Sequence, residues 1–243
     1  MEIDFYEEHF RVTDCEADCM RRMTPGAILR RTQQIATDHC DQLGLDAPLY
    51  ARTHTAFLMA KLALESYVPL HIGDEVRMVT KPSAPQRAVY HRVTDFFLPD
   101  GVLACTVDSR WVLVDTQTKR ILRQPPEELH MPFGRAPEKE LDVSLRKAPA
   151  QAVGQERATY TRCDVNRHLN NTHYADIVCD YLPAEDLVAN PIRRMAIVYH
   201  NEVPMGAAFT LHRARLTEGD WYFLGEGEKK HFEAQVTFDG AQN

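Results

Sequence analysis

The stretch CDVNRHLNNTHYADI, residues 163–177, sets Asp164, Asn166, His168, Asn170 and Asn171 immediately ahead of an apolar pattern with helical spacing. Carboxylate and imidazole groups held together can move protons, and neighbouring amides can orient a nucleophile or a polar substrate. Their position adds a second capability. The first N–H groups of a helix have no intrahelical partner and lie at the positive end of its dipole, so they can face a developing oxyanion. One preorganised donor of this kind is worth about 3 kcal/mol of transition-state stabilisation. Each residue alone has a plainer role, since Asp and Asn ahead of a helix are ordinarily caps and turn formers. Only the joint spacing points to chemistry. In an extended segment the alternation of Asp164, Asn166 and His168 would put all three side chains on one side.

The elements that must position these groups come in two sets. Downstream of the stretch, a helix over about 171–181 presents Tyr174, Ile177, Val178 and Tyr181 on one face, and strands follow near 192–203, 207–216, 221–227 and 231–238. The same order occurs earlier in the chain. Thr24 as N-cap and Pro25 at the first helical position open a helix that Gly44 closes, and strands are expected over 55–68, 74–80, 87–98 and 102–115. Gly73-Asp74, Pro82 to Pro85 and Pro99-Asp100-Gly101 mark the turns between them. The two sets also match in sequence. VTDCEADCM lies over YTRCDVNRH, with Cys15-Glu16 on Cys163-Asp164 and Asp18 on Asn166, and Val68-Pro69 lies over Val203-Pro204. In this register Met20 occupies the histidine position and Tyr67 stands opposite Glu202, so the first copy is expected to have lost the catalytic set. One helix followed by an antiparallel sheet, twice over, is an α+β arrangement in which each sheet wraps a helix. It predicts a tandem (double) hotdog, with an N-terminal unit over 1–125, a proline-rich and charged linker over 126–155, and a C-terminal unit over 156–243 carrying the chemistry.

Composition narrows the function classes. The chain has 243 residues and a formal charge of −7, which argues against nucleic acid as a partner because phosphate binding needs a basic face. The acidic start MEIDFYEEHF is unlike a secretory signal, and no apolar run approaches the ~20 residues of a membrane helix. The six scattered cysteines form no CxxC pair, so neither a zinc site nor a disulfide framework is indicated. These features predict a cytoplasmic protein with no metal and no membrane insertion.

DVNRHLNNTHY, residues 164–174, resembles the D-x-N-x-H-x-N-N-x-x-Y signature of the acyl-ACP thioesterases of plants and bacteria, which are double-hotdog proteins. RWVLVDTQTKRILRQPPEEL (110–129) is similar to the segment closing their first hotdog, and VYHNEVPMG (198–206) is similar to their Y-x-x-E stretch, with Glu202 at the glutamate. The resemblance implies catalytic roles for Asp164, Asn166, His168 and Glu202, with Glu202 reached from a neighbouring strand. It also implies an acyl-chain pocket in the first hotdog. It calls for no cofactor, and its partner is acyl carrier protein bearing a fatty acyl phosphopantetheine. Some members carry a cysteine directly after the glutamate; here Val203 stands there, so a Cys-His-Asn mechanism at that position is excluded. We read Asp164 and Glu202 as the reacting carboxylates, Asn166 and His168 as orienting groups, and Asn170 or Asn171 as the start of the oxyanion-binding helix. Whether a carboxylate attacks the thioester or activates water stays open at this point. Carrier protein is acidic, so docking needs local basic groups, and Arg21, Arg22, Arg30, Arg31, Arg193 and Arg194 are the candidates. A homodimer is compatible with these features and required by none of them. An acyl-CoA thioesterase is the nearest rival reading, followed by a hotdog enoyl-thioester hydratase, whose D-x-x-x-x-H pattern differs from the spacing here, and by a non-catalytic acyl sensor.

Overall fold

The first long helix forms where its start signals stand. In the computed structural model, which describes residues 5–129, 131–133, 139–217 and 219–240, α1 covers Pro25–Gln42 and the Thr24 side chain accepts the Ala27 N–H. Gly44 takes the left-handed conformation just past its end, at φ +74°, a geometry that costs glycine nothing. A shorter helix, α2 (Ala47–Thr53), follows. The second copy holds α3 (His173–Asp180) and α4 (Ala184–Ala189).

Among the described residues there are ten strands: β1 (Tyr6–Arg11), β2 (Thr55–Ser66), β3 (Glu75–Gln86), β4 (Val89–Phe97), β5 (Leu103–Asp115), β6 (Gln151–Arg157), β7 (Ile192–Tyr199), β8 (Ala208–Thr217), β9 (Asp220–Glu226) and β10 (Lys230–Phe238). They form one sheet in the order β1-β3-β4-β5-β2-β7-β10-β9-β8-β6. Read inward from each edge, the two halves have the same connectivity and meet at β2 and β7, where Lys61–Glu65 pairs antiparallel with Arg194–Val198. Each half wraps its own helix. One core runs between them, with Ile28 and Ile35 of α1, Ile177 and Val178 of α3, and Leu62, Phe96, Ile197 and Phe232 of the sheet all buried. The duplicated hotdog is therefore the observed fold.

Four local expectations are corrected. Strands β1 and β6 were not anticipated; both are short, charge-bearing edge strands, whose mixed pattern is typical of sheet margins. Pro82 to Pro85 does not form a turn, because β3 continues to Gln86. Beyond Thr80, β3 has lost β1 as a neighbour and pairs only with β4, so a proline costs no ladder hydrogen bond there. Strand β7 ends at Tyr199, which leaves Glu202 on the following loop. The repeat register also moves by two residues. Asp18 Oδ1 accepts the N–H groups of Met20 and Arg22, as Asp164 Oδ1 accepts those of Asn166 and His168. Arg22 bridges to His71 as His168 bridges to Pro204. Asp18 is thus the counterpart of Asp164, Met20 of Asn166, Arg22 of His168 and Pro69 of Glu202. Similarity around the cysteines suggested the other register, whereas the backbone hydrogen bonds fix this one.

The segment after residue 138 lies along the outer face at the β2–β7 seam. Leu141 and Val143 pack on Ala63 and Ala196, and the fully buried Asp108 accepts the Leu141 N–H at 2.8 Å. Close approach also fixes one glycine. A Cβ at Gly225 would stand 2.1 Å from Phe232 Cε1, and that ring is held edge-on by Tyr174 and Phe209. Gly225→Ala is expected to destabilise the fold by about 1–3 kcal/mol through overpacking, read as a lowered midpoint in thermal unfolding.

Candidate active site

Residues 163–169 form a tight turn and not an extended segment. Cys163 and Leu169 pair across it, the Asp164 N–H donates to His168 O at 2.9 Å, and the Arg167 N–H donates to Asp164 O at 2.9 Å. Arg167 closes the turn at φ +63°, a conformation strained for a side chain of this size. Asp164 Oδ1 fastens the inside of the turn by accepting the Asn166 N–H at 2.9 Å. The expectation of three side chains on one face of a strand therefore fails, because the carboxylate's own turn chemistry wins over alternation. Asn166 reaches the solvent-exposed rim while His168 is half-buried.

The same turn locks onto the Glu202 segment. Leu169 N–H donates to Val203 O at 2.9 Å and Met205 N–H to Arg167 O at 2.8 Å. As a result His168 Nε2 lies 3.6 Å from Glu202 Oε2. His168 Nδ1 is buried without a hydrogen-bond partner among the described residues. Burial pushes the Tyr174 phenol up, and the nearby carboxylates of Glu202 and Asp164 add to the shift. Glu202 and Asp164 thus both act on the Tyr174 phenol, His168 lies beside Glu202, and Asn166 stands at the exposed edge.

The helix start differs from expectation. Neither Asn170 nor Asn171 begins α3; Thr172 is its N-cap. Asn170 Oδ1 accepts both the Thr172 N–H at 2.9 Å and its hydroxyl at 2.8 Å, and Asn170 O accepts the His173 N–H at 3.0 Å. Two of the expected oxyanion donors are therefore already used. Asn171 is placed differently: Tyr199 Oη donates to its carbonyl at 2.8 Å, and its side-chain oxygen is buried with no partner.

Asp164, Asn166 and Asn171 stand at one end of a cleft of about 390 Å³, whose walls come from the first copy: Gln33 and Cys40 of α1, Tyr50 of α2, and Tyr90, Arg92 and Trp111 of the sheet. Sequence reading missed these lining residues. A second cavity of about 300 Å³ opens beside Asp18 and Arg22 of the first copy's turn, where Arg22 and Pro69 replace the histidine and glutamate.

Most of the arginines expected as docking candidates are engaged within the fold. Arg22 pairs with Asp18 and donates to Leu187 O, Arg30 pairs with Asp176, and Arg31 pairs with Glu16. Arg193 donates to Ser66 O and Arg194 to Asp142 O. Arg21 is exposed. Among the described residues no cluster of His, Cys, Asp and Glu has an arrangement that could hold a metal ion, all six cysteines are free thiols, and no helix is long and apolar enough to cross a membrane.

A duplicated hotdog with an Asp-Asn-His turn beside a glutamate defines the class of protein. Residues 4–131 match the family described as acyl-ACP thioesterase N-terminal domain, and residues 149–239 match the acyl-ACP thioesterase C-terminal domain. The chain belongs to the acyl-ACP thioesterase family. It is 24% identical over 226 residues to oleoyl-acyl carrier protein thioesterase 1, chloroplastic, of Arabidopsis thaliana, covering 81% of this chain and 60% of that protein. The chain thus spans about 60% of the length of that curated relative. Its fold matches an acyl-ACP thioesterase from Bacteroides thetaiotaomicron with a TM-score of 0.87 at 18% identity, over 98% of this chain and 99% of that one. The 12:0-ACP thioesterase from Umbellularia californica matches with a TM-score of 0.85 at 16% identity, over 98% and 95%.

Proposed function

We propose that this protein hydrolyses fatty acyl thioesters of acyl carrier protein, releasing a free fatty acid and the carrier thiol. The observation that carries the reading is the convergence of His168 and Glu202, Nε2 to Oε2 3.6 Å, on the turn whose Asp164 and Asn166 line a cleft walled by the other hotdog. In this reading the C-terminal unit supplies Asp164, Asn166, His168 and Glu202, and the N-terminal unit holds the acyl chain.

The thioester presents an easy leaving group, since a thiol has a pKa near ~8.5. The site's work is to activate a nucleophile and stabilise the oxyanion. A water between Asp164 and Glu202 would lose its proton to one carboxylate, with His168 orienting the pair, and the rim amide of Asn166 would hold the carbonyl. The Asn171 N–H makes no hydrogen bond among the described residues and is our candidate oxyanion donor in place of the helix start. A carboxylate attacking directly would instead give a mixed anhydride. One turnover in ¹⁸O-water tests the direct route: label appearing in an enzyme carboxylate would exclude it, because only an anhydride opened at the enzyme's own carboxyl carbon places solvent oxygen there.

Carrier preference is the first test. With one acyl chain on carrier protein and on CoA, thiol release is expected to be faster from the carrier protein, with an advantage that shrinks as salt rises, because docking uses opposite charges. Arg21 is our main docking residue, and Arg21→Glu is expected to raise KM for acyl-ACP several-fold at low salt. Equal or faster release from CoA would transfer the assignment to the acyl-CoA thioesterases.

A further inference from the structure

The far end of the cleft holds a charge that a plain hydrocarbon chain does not need. Arg92 is only 7% exposed, yet it lines the cleft. Its inward direction follows from strand alternation, since Tyr90, Arg92, Thr94 and Phe96 share one face of β4. Its guanidinium donates to His39 Nδ1 at 3.1 Å, to Thr80 Oγ1 at 3.2 Å and to Cys40 Sγ at 3.5 Å. Because arginine can only donate, His39 Nδ1 must accept, which makes that imidazole the neutral Nε2–H tautomer. Burial pushes the Cys40 thiol and the Tyr50 phenol up, so both are neutral as well. No carboxylate forms an ion pair with Arg92 among the described residues. Among the described residues three of its five N–H groups have protein acceptors and Nε has none.

A buried guanidinium whose hydrogen-bond partners are all neutral carries a large desolvation cost, and the carboxylate of Asp41, which lines the same cleft and acts on Cys40 and Tyr50, forms no ion pair with Arg92 among the described residues. Buried charges are ordinarily paired, and the open side of this one is the cleft. Seven residues of α1 separate Gln33, which lines the Asn171 end, from Cys40, which touches Arg92; at 1.5 Å per residue this is roughly 10 Å. A chain entering past Asn171 would bring its far end to Arg92. We infer that Arg92 is a specificity-determining residue that receives a carboxylate at the far end of the acyl chain, so that the preferred substrates are acyl thioesters whose chain ends in an acid and not in a methyl group. The inference rests on the thioesterase reading for which end of the cleft the thioester occupies.

The test compares binding and turnover separately. Two non-hydrolysable pantetheine amides of equal chain length, one ending in methyl and one in carboxylate, are titrated against the protein by calorimetry. The carboxylate-ended compound is expected to bind at least about tenfold more tightly, the scale of a charge-assisted bidentate contact. Arg92→Met should abolish that preference and Arg92→Lys should retain part of it. Equal or weaker binding of the carboxylate-ended compound to the unaltered protein overturns the inference, as does a preference that survives in Arg92→Met. The unaltered protein decides the first point even where a variant folds poorly. If the preference is present but the matching thioesters are not hydrolysed, Arg92 remains a carboxylate-binding residue, while the thioesterase reading and the substrate preference built on it fail. Hydrolysis of methyl-ended thioesters with no carboxylate preference has the opposite meaning.

Discussion

Asp164→Asn is expected to lower kcat for acyl-thioester hydrolysis by about 10³-fold while leaving the thermal midpoint within a few degrees of the unaltered protein. The two effects separate because the carboxylate has two jobs. As an acceptor it closes the turn, taking the Asn166 N–H at 2.9 Å and the more distant His168 N–H at 3.5 Å. An asparagine Oδ1 can accept the same bonds, so the strained Arg167 and the bonds from the Leu169 N–H to Val203 O and from the Met205 N–H to Arg167 O should persist. What disappears is the negative charge that would take a proton from water, a contribution typically worth 10²–10⁴-fold. Asp164→Ala would remove both jobs and is less informative for that reason. Activity of Asp164→Asn within tenfold of the unaltered protein would reduce Asp164 to a turn former, the plain role that any Asp ahead of a helix can have. Glu202, then, would be the carboxylate to test next.

The architecture was readable because helix starts and strand alternation are local signals. Thr24, Pro25 and Gly44 mark α1 through interactions within a few residues, and each appears where its chemistry requires. The conformation of the Asp164 turn was also local, yet the spacing misled: alternation of polar residues reads as a strand, while an aspartate that can bond its own backbone two residues on prefers a turn. A pocket in the first copy was expected from the resemblance, but the residues that line the cleft were not legible. Gln33, Arg92 and Trp111 come from a helix and two strands of the first copy, and only the meeting of the two sheets at β2 and β7 brings their half to Asp164 and Asn171. Nor could the sequence show that Arg22, Arg30 and Arg31 are already paired, since Asp176, the partner of Arg30, lies in the other copy. The repeat register failed for a related reason. Sequence similarity weighted Cys15 and Cys163, whereas the structural equivalence rests on Asp18 and Asp164, whose side chains make the same bonds in both copies.

Glu233→Gln is expected to lower the thermal midpoint by roughly 5–10 °C at pH 7, with the difference fading as the pH falls from about 4.5 toward 2. Glu233 lies on β10 with its side chain only 2% exposed. Burial alone would raise its pKa, but Tyr222 Oη at 2.5 Å, Lys147 Nζ at 3.0 Å and His200 Nε2 at 2.7 Å all donate to it. These contacts outweigh burial and bring it down from an ordinary value of 4.5 to about 2. A depressed carboxylate contributes stability above its unfolded pKa and loses it as the pH drops through the folded value; here the gap corresponds to about 3 kcal/mol. For a chain of this size each kcal/mol moves the midpoint by about 2–4 °C. The glutamine variant should therefore differ most at neutral pH and least near pH 2, and a pH-independent difference would mean that lost packing, not charge, is responsible. The contacts also join stability to the site. Lys147 belongs to the segment that crosses the sheet, and His200 lies two residues before Glu202, with its N–H on His231 O at 2.8 Å. Loosening Glu233 should therefore lower kcat more than it changes KM, because the Glu202 loop is held from this side by the His200 contact, while the cleft proposed for the acyl chain is built by the other half of the sheet.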